Sequence, residues 1–184
     1  MLDFDPDNQT GNLLDQLPNL TDFMKTNSTR SDTNRAAFLA ALRYAEGTQS
    51  DEGYRALFGW RLGNGKTFSS FADHPKQFFN YTNLAGAVIR TSAAGAYQIT
   101  ATTYDLLCKK YGFTGFGPDV QDAMAMQLID EKNALDDIDS GRIESAISKC
   151  RRVWASLPDS GVNQPTRSLQ SVVAAYQKAG GMLA

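Results

Sequence analysis

Residues 34–48, NRAAFLAALRYAEGT, carry the chain's plainest helical signal. Phe38, Leu39, Leu42 and Ala45 recur at the spacing that lines one helix face, and Asp32, Thr33 or Asn34 can cap its start. Gly47 ends it, because glycine takes the left-handed backbone conformation found just past helix termini. Glu46 therefore falls on the last turn. Upstream the character changes. Residues 1–34 hold six aspartates against Lys25 and Arg30, a balance of −4 in a chain of net charge −2. Their leucines are interrupted by Pro18. This composition predicts a flexible acidic N-terminal arm over residues 1–33, with one short helical turn near 12–17, followed by a catalytic-sized domain over 34–184.

Downstream, RALFGWRLGNGKTFSSF (55–71) alternates in β fashion about Asn64-Gly65, a pair suited to tight hairpins, so a hairpin is predicted over 54–71. Four further helices are predicted over 97–111, 118–132, 142–156 and 166–179. The second begins on Pro118, and the third has Ile143, Ile147, Cys150 and Trp154 on one face. One hairpin among helices is an α+β pattern, mostly helical, not a repeated βαβ one.

Composition narrows the function. With 184 residues, 42% hydrophobic and 21% charged, the chain has the makeup of a globular protein with one core. No apolar run approaches the ~18 residues of a membrane span, and the acidic start is unlike a secretory signal. Cys108 and Cys150 form no CxxC pair and His74 is the sole histidine, so neither a local zinc motif nor a two-histidine metal centre is available. The short basic pairs Lys109-Lys110 and Arg151-Arg152 are read as solvated helix faces, not a nucleic-acid surface. GNGK lacks the spacing of a phosphate loop, and no GxSxG elbow accompanies Asp73-His74-Pro75, which is read as turn chemistry with a structural histidine.

Glu46 is the candidate for chemistry. The unpaired carbonyls of a helix C-terminus disfavour a carboxylate, and an apolar neighbourhood adds to the effect, which favours the protonated acid that glycosidic cleavage requires. A solvated glutamate on a frayed helix end is the commoner occupant of such a place, so position makes Glu46 a candidate and no more. Likewise the small residues before Tyr97 and Gln98 in TSAAGAYQIT (91–100) suit close approach to an N-acetyl sugar, or simply an unusual turn before a helix.

Taken together, Tyr44-Ala45-Glu46-Gly47-Thr48, Gly53-Tyr54, Phe71-Ala72-Asp73-His74-Pro75 and Ala94-Gly95-Ala96-Tyr97-Gln98 resemble the phage lambda lysozyme family of endolysins. The likeness continues through Phe116-Gly117-Pro118, Gln121-Asp122-Ala123, Trp154-Ala155-Ser156-Leu157-Pro158 and Lys178-Ala179-Gly180-Gly181, in family order over about 34–181. The resemblance implies a lysozyme-like fold with a small sheet flanking a saccharide cleft. It also implies lytic transglycosylase activity on peptidoglycan glycan strands, cleaving between N-acetylmuramic acid and N-acetylglucosamine with formation of 1,6-anhydromuramic ends. By the same resemblance Glu46 is catalytic, Tyr97 and Gln98 bind substrate, and Tyr54 and Asp73 are weaker substrate-binding candidates. No metal or cofactor is expected. The segments 80–90 and 136–140 are read as the cleft's lips.

A monomer without stable membrane insertion is expected, held in the host cytoplasm until a holin opens the inner membrane. The arm is a candidate dock for an unknown partner. The alternatives are a hydrolytic muramidase on the same fold and a virion-associated glycan-binding protein used in cell entry.

Overall fold

The structure is a computed structural model that describes residues 20–60, 63, 65–161 and 166–184, with side chains from residue 28 onward. Helix α1 (Leu20–Glu46) is its axis. Ala37, Phe38, Ala41, Leu42 and Ala45 are almost wholly buried along one stripe, and the alanines let neighbouring elements approach closely. The other elements are a 3-10 turn (Asp51–Arg55), strands β1 (Phe79–Thr82) and β2 (Val88–Thr91), and helices α2 (Ala101–Tyr111), α3 (Pro118–Asp130), α4 (Leu135–Asp139), α5 (Ile143–Cys150) and α6 (Leu169–Lys178). Helices α3, α4 and α6 pack on α1. Phe38, Leu42, Met124, Ile129, Ile147, Leu157 and Tyr176 fill the shared core. The architecture is mostly helical with a small antiparallel sheet, as predicted.

The sheet is not where the sequence placed it. The regular ladder pairs β1 with β2, Phe79 opposite Thr91 and Thr82 opposite Val88. Segment 80–90, read only as a lip of the cleft, is thus a β-hairpin, closed where Asn83 N–H donates to Ala87 O at 2.9 Å and Gly86 adopts φ 81°. The predicted 54–71 hairpin survives as one antiparallel bridge, Ala56 with Thr67, flanked by Leu57 N–H to Lys66 O (2.9 Å) and Phe68 N–H to Arg55 O (3.0 Å). Its pairing stops because the backbone turns at Gly59 (φ 86°), where Trp60 N–H closes onto Leu57 O. The Asn64 end of its expected turn lies outside the described residues.

Helix α1 already includes Leu20 and does not start near Asn34, so the division drawn at residue 33 falls inside a helix. The polar run Asn27-Ser28-Thr29 hides the helix from an apolar-spacing reading. Tertiary contacts supply what propensity lacks: Arg30 Nη2 donates to Leu183 O at 3.2 Å. The turn expected at 12–17 lies outside the described residues.

Helix α4 was also unforeseen, and it is no cleft lip. Asn34 Nδ2 donates to Ile138 O at 3.0 Å, and Arg35 grips Asp139 at 2.6 Å. These residues lie about 18 Å along the helix from Glu46, at ~1.5 Å per residue, so α4 braces the far part of α1. The remaining helices form inside their predicted spans, but two are shorter: α2 starts at Ala101 and not at Tyr97, because residues 94–99 close on themselves through Ala94 and Ile99, and α5 ends at Cys150, leaving Trp154 in the turn beyond.

Candidate active site

Glu46 is the last residue of α1, and the chain leaves it through a Schellman cap. Gly47 adopts φ 75°, its N–H donates to Tyr44 O at 3.1 Å, and Thr48 N–H donates to Arg43 O at 2.9 Å. The Arg43 guanidinium folds over the same helix end, donating to the carbonyls of Thr48 (3.2 Å), Gln49 (3.0 Å) and Ser50 (2.8 Å). A cation there complements the negative end of the helix dipole. The E-G-T motif is thus a device that stops the helix one residue after the carboxylate and fixes its exit.

Thr48 carries the construction onward. Its buried hydroxyl donates to Ala96 O at 2.5 Å, tying the helix end to a tight hairpin over 94–99. That hairpin closes through Ala94 N–H to Ile99 O (3.0 Å) and Ile99 N–H to Ala94 O (2.9 Å). Gly53 belongs to the same contact: a Cβ there would stand 2.0 Å from Thr48 O. Within the hairpin Gln98 is held at φ 48°, uncommon for a non-glycine residue, with Nε2 donating to Gly95 O at 3.0 Å.

Helix α3 supplies the platform beneath. Gln121 is fully buried and satisfied: Oε1 accepts from Ala96 N–H at 2.8 Å, and Nε2 donates to Phe116 O (2.7 Å) and Tyr54 O (2.9 Å). At the next residue, Asp122 Oδ1 accepts from the hydroxyls of Tyr97 (2.6 Å) and Tyr54 (2.8 Å). Arg43 stacks on the Tyr54 ring at 4.3 Å and donates to its oxygen at 3.3 Å. Burial raises the pKa of both tyrosines above the ordinary phenol value, and the hydrogen bond and charge of Asp122 add to this, so both hydroxyls keep their protons.

The turn after α5 completes the site. Ser156 Oγ donates to Glu46 Oε1 at 2.6 Å, and Trp154 Nε1 donates to Tyr97 O at 3.1 Å. Elements 110 positions apart in sequence therefore meet at the carboxylate.

The sequence candidates divide accordingly. Glu46, Tyr54, Tyr97 and Gln98 come together around this network. Tyr97, however, is 1% exposed, so its ring offers a sugar no surface, and it lies under the site instead of facing substrate. Asp73 belongs to a neighbouring turn. It accepts from His74 N–H at 2.8 Å and sits 3.7 Å from Lys76 Nζ, and the Tyr104 hydroxyl, with these partners, holds its carboxyl below the usual range.

His74 is structural in the way its motif implied. Lys76 N–H donates to Nδ1 at 3.0 Å, which places the ring proton on Nε2, 2.9 Å from Ile99 O. Burial lowers its pKa below the ordinary imidazole value and keeps the ring neutral against Phe116 and Tyr104. Sequence reasoning assigned no role to Arg43, Gln121, Asp122 or Ser156. The signal was present for the last three, which lie in the quoted motif blocks, but which partner each meets is a long-range fact.

Among the described residues, no group of three or more His, Cys, Asp or Glu side chains could hold a metal ion. No helix there is long and apolar enough to cross a membrane.

Comparison with known proteins agrees with this fold. The family model described as Endolysin matches residues 36–183. The endolysin of Escherichia phage lambda is 34% identical over 156 residues, covering 82% of this chain and 93% of that protein. The endolysin of Escherichia phage P2 is 38% identical over 158 residues, covering 81% and 94%. The solved structure of bacteriophage lambda lysozyme complexed with a chitohexasaccharide superposes with a TM-score of 0.73 at 34% identity, over 83% of this chain and 97% of that one. With the site's motifs, its fold and nearly the full length of these relatives accounted for, the chain belongs to the endolysin family of phage cell-wall-lysing enzymes.

Proposed function

We propose that this endolysin is a lytic transglycosylase that cleaves peptidoglycan glycan strands between N-acetylmuramic acid and N-acetylglucosamine, with Glu46 as its catalytic residue. The observation that carries the reading is the Glu46 carboxylate, set at a capped helix end where its Oε1 accepts from the Ser156 hydroxyl. Protonated Glu46 gives its proton to the leaving glycosidic oxygen as the C1–O bond breaks. The carboxylate then takes the proton of the muramic acid 6-hydroxyl as that oxygen bonds C1, closing the 1,6-anhydro ring. The proton returns to Glu46 and no water is consumed.

A hydrolytic enzyme needs a second carboxylate, about 5 Å away when retaining and about 6.5–9.5 Å when inverting. The sequence offers Asp51, Glu52 and Asp73 for that role, and Asp73 is engaged in its own turn with His74 and Lys76, which supports the single-glutamate reading. Gln98 and the partly exposed ring of Tyr54 are the proposed sugar contacts, with Asp73 as an outlying one and Tyr97 supporting from beneath. The protein is proposed to act as a monomer, to wait in the host cytoplasm, and to reach the wall when a holin opens the inner membrane.

Mass spectrometry of digested peptidoglycan tests the chemistry. Anhydromuramic ends are the expected product. Reducing ends would replace this mechanism with hydrolytic muramidase action, and intact glycan would leave only binding.

A further inference from the structure

We infer that the groove between α1 and α6 takes the acidic stem peptide that peptidoglycan carries on its muramic acid. The inference rests on the proposed choice of peptidoglycan as substrate. Helix α6 runs back along α1 from the catalytic end. Arg167, just before α6, stands over the Tyr44 ring at 4.9 Å, while Met182, just after it, donates its N–H to Asn34 Oδ1 at 2.9 Å. Between the two helices lies a groove of about 470 Å³, lined by Ala40 and Tyr44 on one side and by Ala174, Ala175 and Lys178 on the other. The three alanines leave it open where larger side chains would close it.

The groove starts beside the acid. Arg167 N–H donates to Ser156 O at 2.9 Å, and Ser156 Oγ in turn donates to Glu46 Oε1 at 2.6 Å. A peptide leaving a sugar held at Glu46 therefore meets Arg167 first and Lys178 at the far end. From Arg167 to Lys178 is about 16 Å at ~1.5 Å per residue, which four or five extended peptide residues also span.

Charge and shape select this occupant. Neither 33–45 nor 160–184 contains aspartate or glutamate, so the charged side chains of both stretches are all cationic in a chain of net charge −2. Neither Arg167 nor Lys178 pairs with a carboxylate among the described residues, and Arg167 Nε is enclosed there without an acceptor. A stem peptide supplies free carboxylates for the two cations and alanine methyls small enough for an alanine-lined groove. The guanidinium, already stacked on an aromatic ring, takes a carboxylate with little further loss of freedom.

Steady-state cleavage of soluble glycan strands, with stem peptides attached or removed by an amidase, tests this. The parent is expected to show a kcat/KM about fivefold or more higher on peptide-bearing strands, the scale of one or two half-exposed charge contacts, with the difference in KM. Lys178→Glu and Ala174→Glu, both at exposed positions, are expected to bring that ratio near one at parental Tm. Gln177→Glu, exposed on the same helix but off the groove, is expected to keep the ratio. Should Lys178→Glu lower Tm, Lys178→Gln removes the charge alone and is expected to lower the ratio part-way. A parental ratio near one, a ratio unchanged in Lys178→Glu or Ala174→Glu, or an equal loss in Gln177→Glu would overturn the groove's role while peptidoglycan cleavage stands. A parent that cuts neither kind of strand would overturn the proposed function, and this inference with it.

Discussion

Gly95 lies against the side-chain amide of Gln121 so closely that a Cβ at residue 95 would stand 2.2 Å from Oε1. The same oxygen accepts from Ala96 N–H, so the buried amide fills the space a side chain would need. Gly95 also adopts φ 75°. The glycine of the A-G-A-Y-Q block is therefore explained by support from below, not by the approach of a ligand from above.

Gly95→Ala meets both the positive-φ penalty and the clash. We expect it to destabilise the fold by at least ~2 kcal/mol and to lower cleavage through misplacement of Gln98. Urea denaturation with a parallel activity assay checks this. Parental stability would show that Gln121 swings aside at little cost.

Asp122 joins two tyrosines that the sequence suggested as sugar contacts. Because Tyr97 and Tyr54 both donate to its Oδ1, removing the acceptor strands one deeply buried hydroxyl and loosens the other. Asp122→Ala is expected to cost about 2–3 kcal/mol of stability. A double-mutant cycle with Tyr97→Phe should give a coupling of about 1–2 kcal/mol. A Tyr97→Phe variant that loses sugar affinity at parental stability would restore Tyr97 to direct contact.

The reading of residues 34–48 anticipated the helix end and its glutamate because both follow from local rules: apolar spacing, then a glycine that takes φ 75°. Helix α4 was illegible for the converse reason. Five residues of LDDID form a helix only because Asn34 and Arg35 reach its C-terminal turn. The β1–β2 hairpin was missed since its turn is built on Asn83 Oδ1 accepting from the N–H groups of Ala85 and Ala87, with no Asn-Gly pair to announce it. Within the site, Glu46 was legible and Ser156 was not, because a hydrogen bond spanning 110 positions leaves no periodicity in the chain.

Asp137 gives a pH dependence with a definite sign. Its side chain is 7% exposed and accepts from Lys149 (2.7 Å), Ser145 (2.8 Å) and Arg142 (2.8 Å), and these donors, Lys149 foremost, lower its pKa to about 2. The unfolded value is near ~4, so the folded value is the lower one. The stabilisation is complete above pH ~4 and is lost as pH falls through the folded value of about 2. Asp137→Asn should cost about 1–2 kcal/mol at neutral pH, since Lys149 and Arg142 are half exposed and regain water. The gap between variant and parent should close between about pH 4 and pH 2 in thermal unfolding. A pH-independent gap would assign the cost to packing alone.

Two truncations separate the contribution of residues 1–19 from that of helix α1. Removing residues 1–19 leaves α1 whole from Leu20, whereas removing 1–33 cuts inside it. The longer deletion loses the Arg30 contact to Leu183 O. It also leaves Asn34, whose side chain accepts from Met182 N–H at 2.9 Å and donates to Ile138 O, at a new chain end where helices fray. Deletion of 1–19 is therefore expected to keep both stability and cleavage rate. Deletion of 1–33 is expected to lower Tm by several degrees, about 2–4 °C per kcal/mol for a chain of this size, while cleavage persists below the new Tm because Glu46 and its partners lie beyond the cut. Loss of cleavage from the shorter deletion at unchanged Tm would give residues 1–19 a direct part in catalysis or substrate capture.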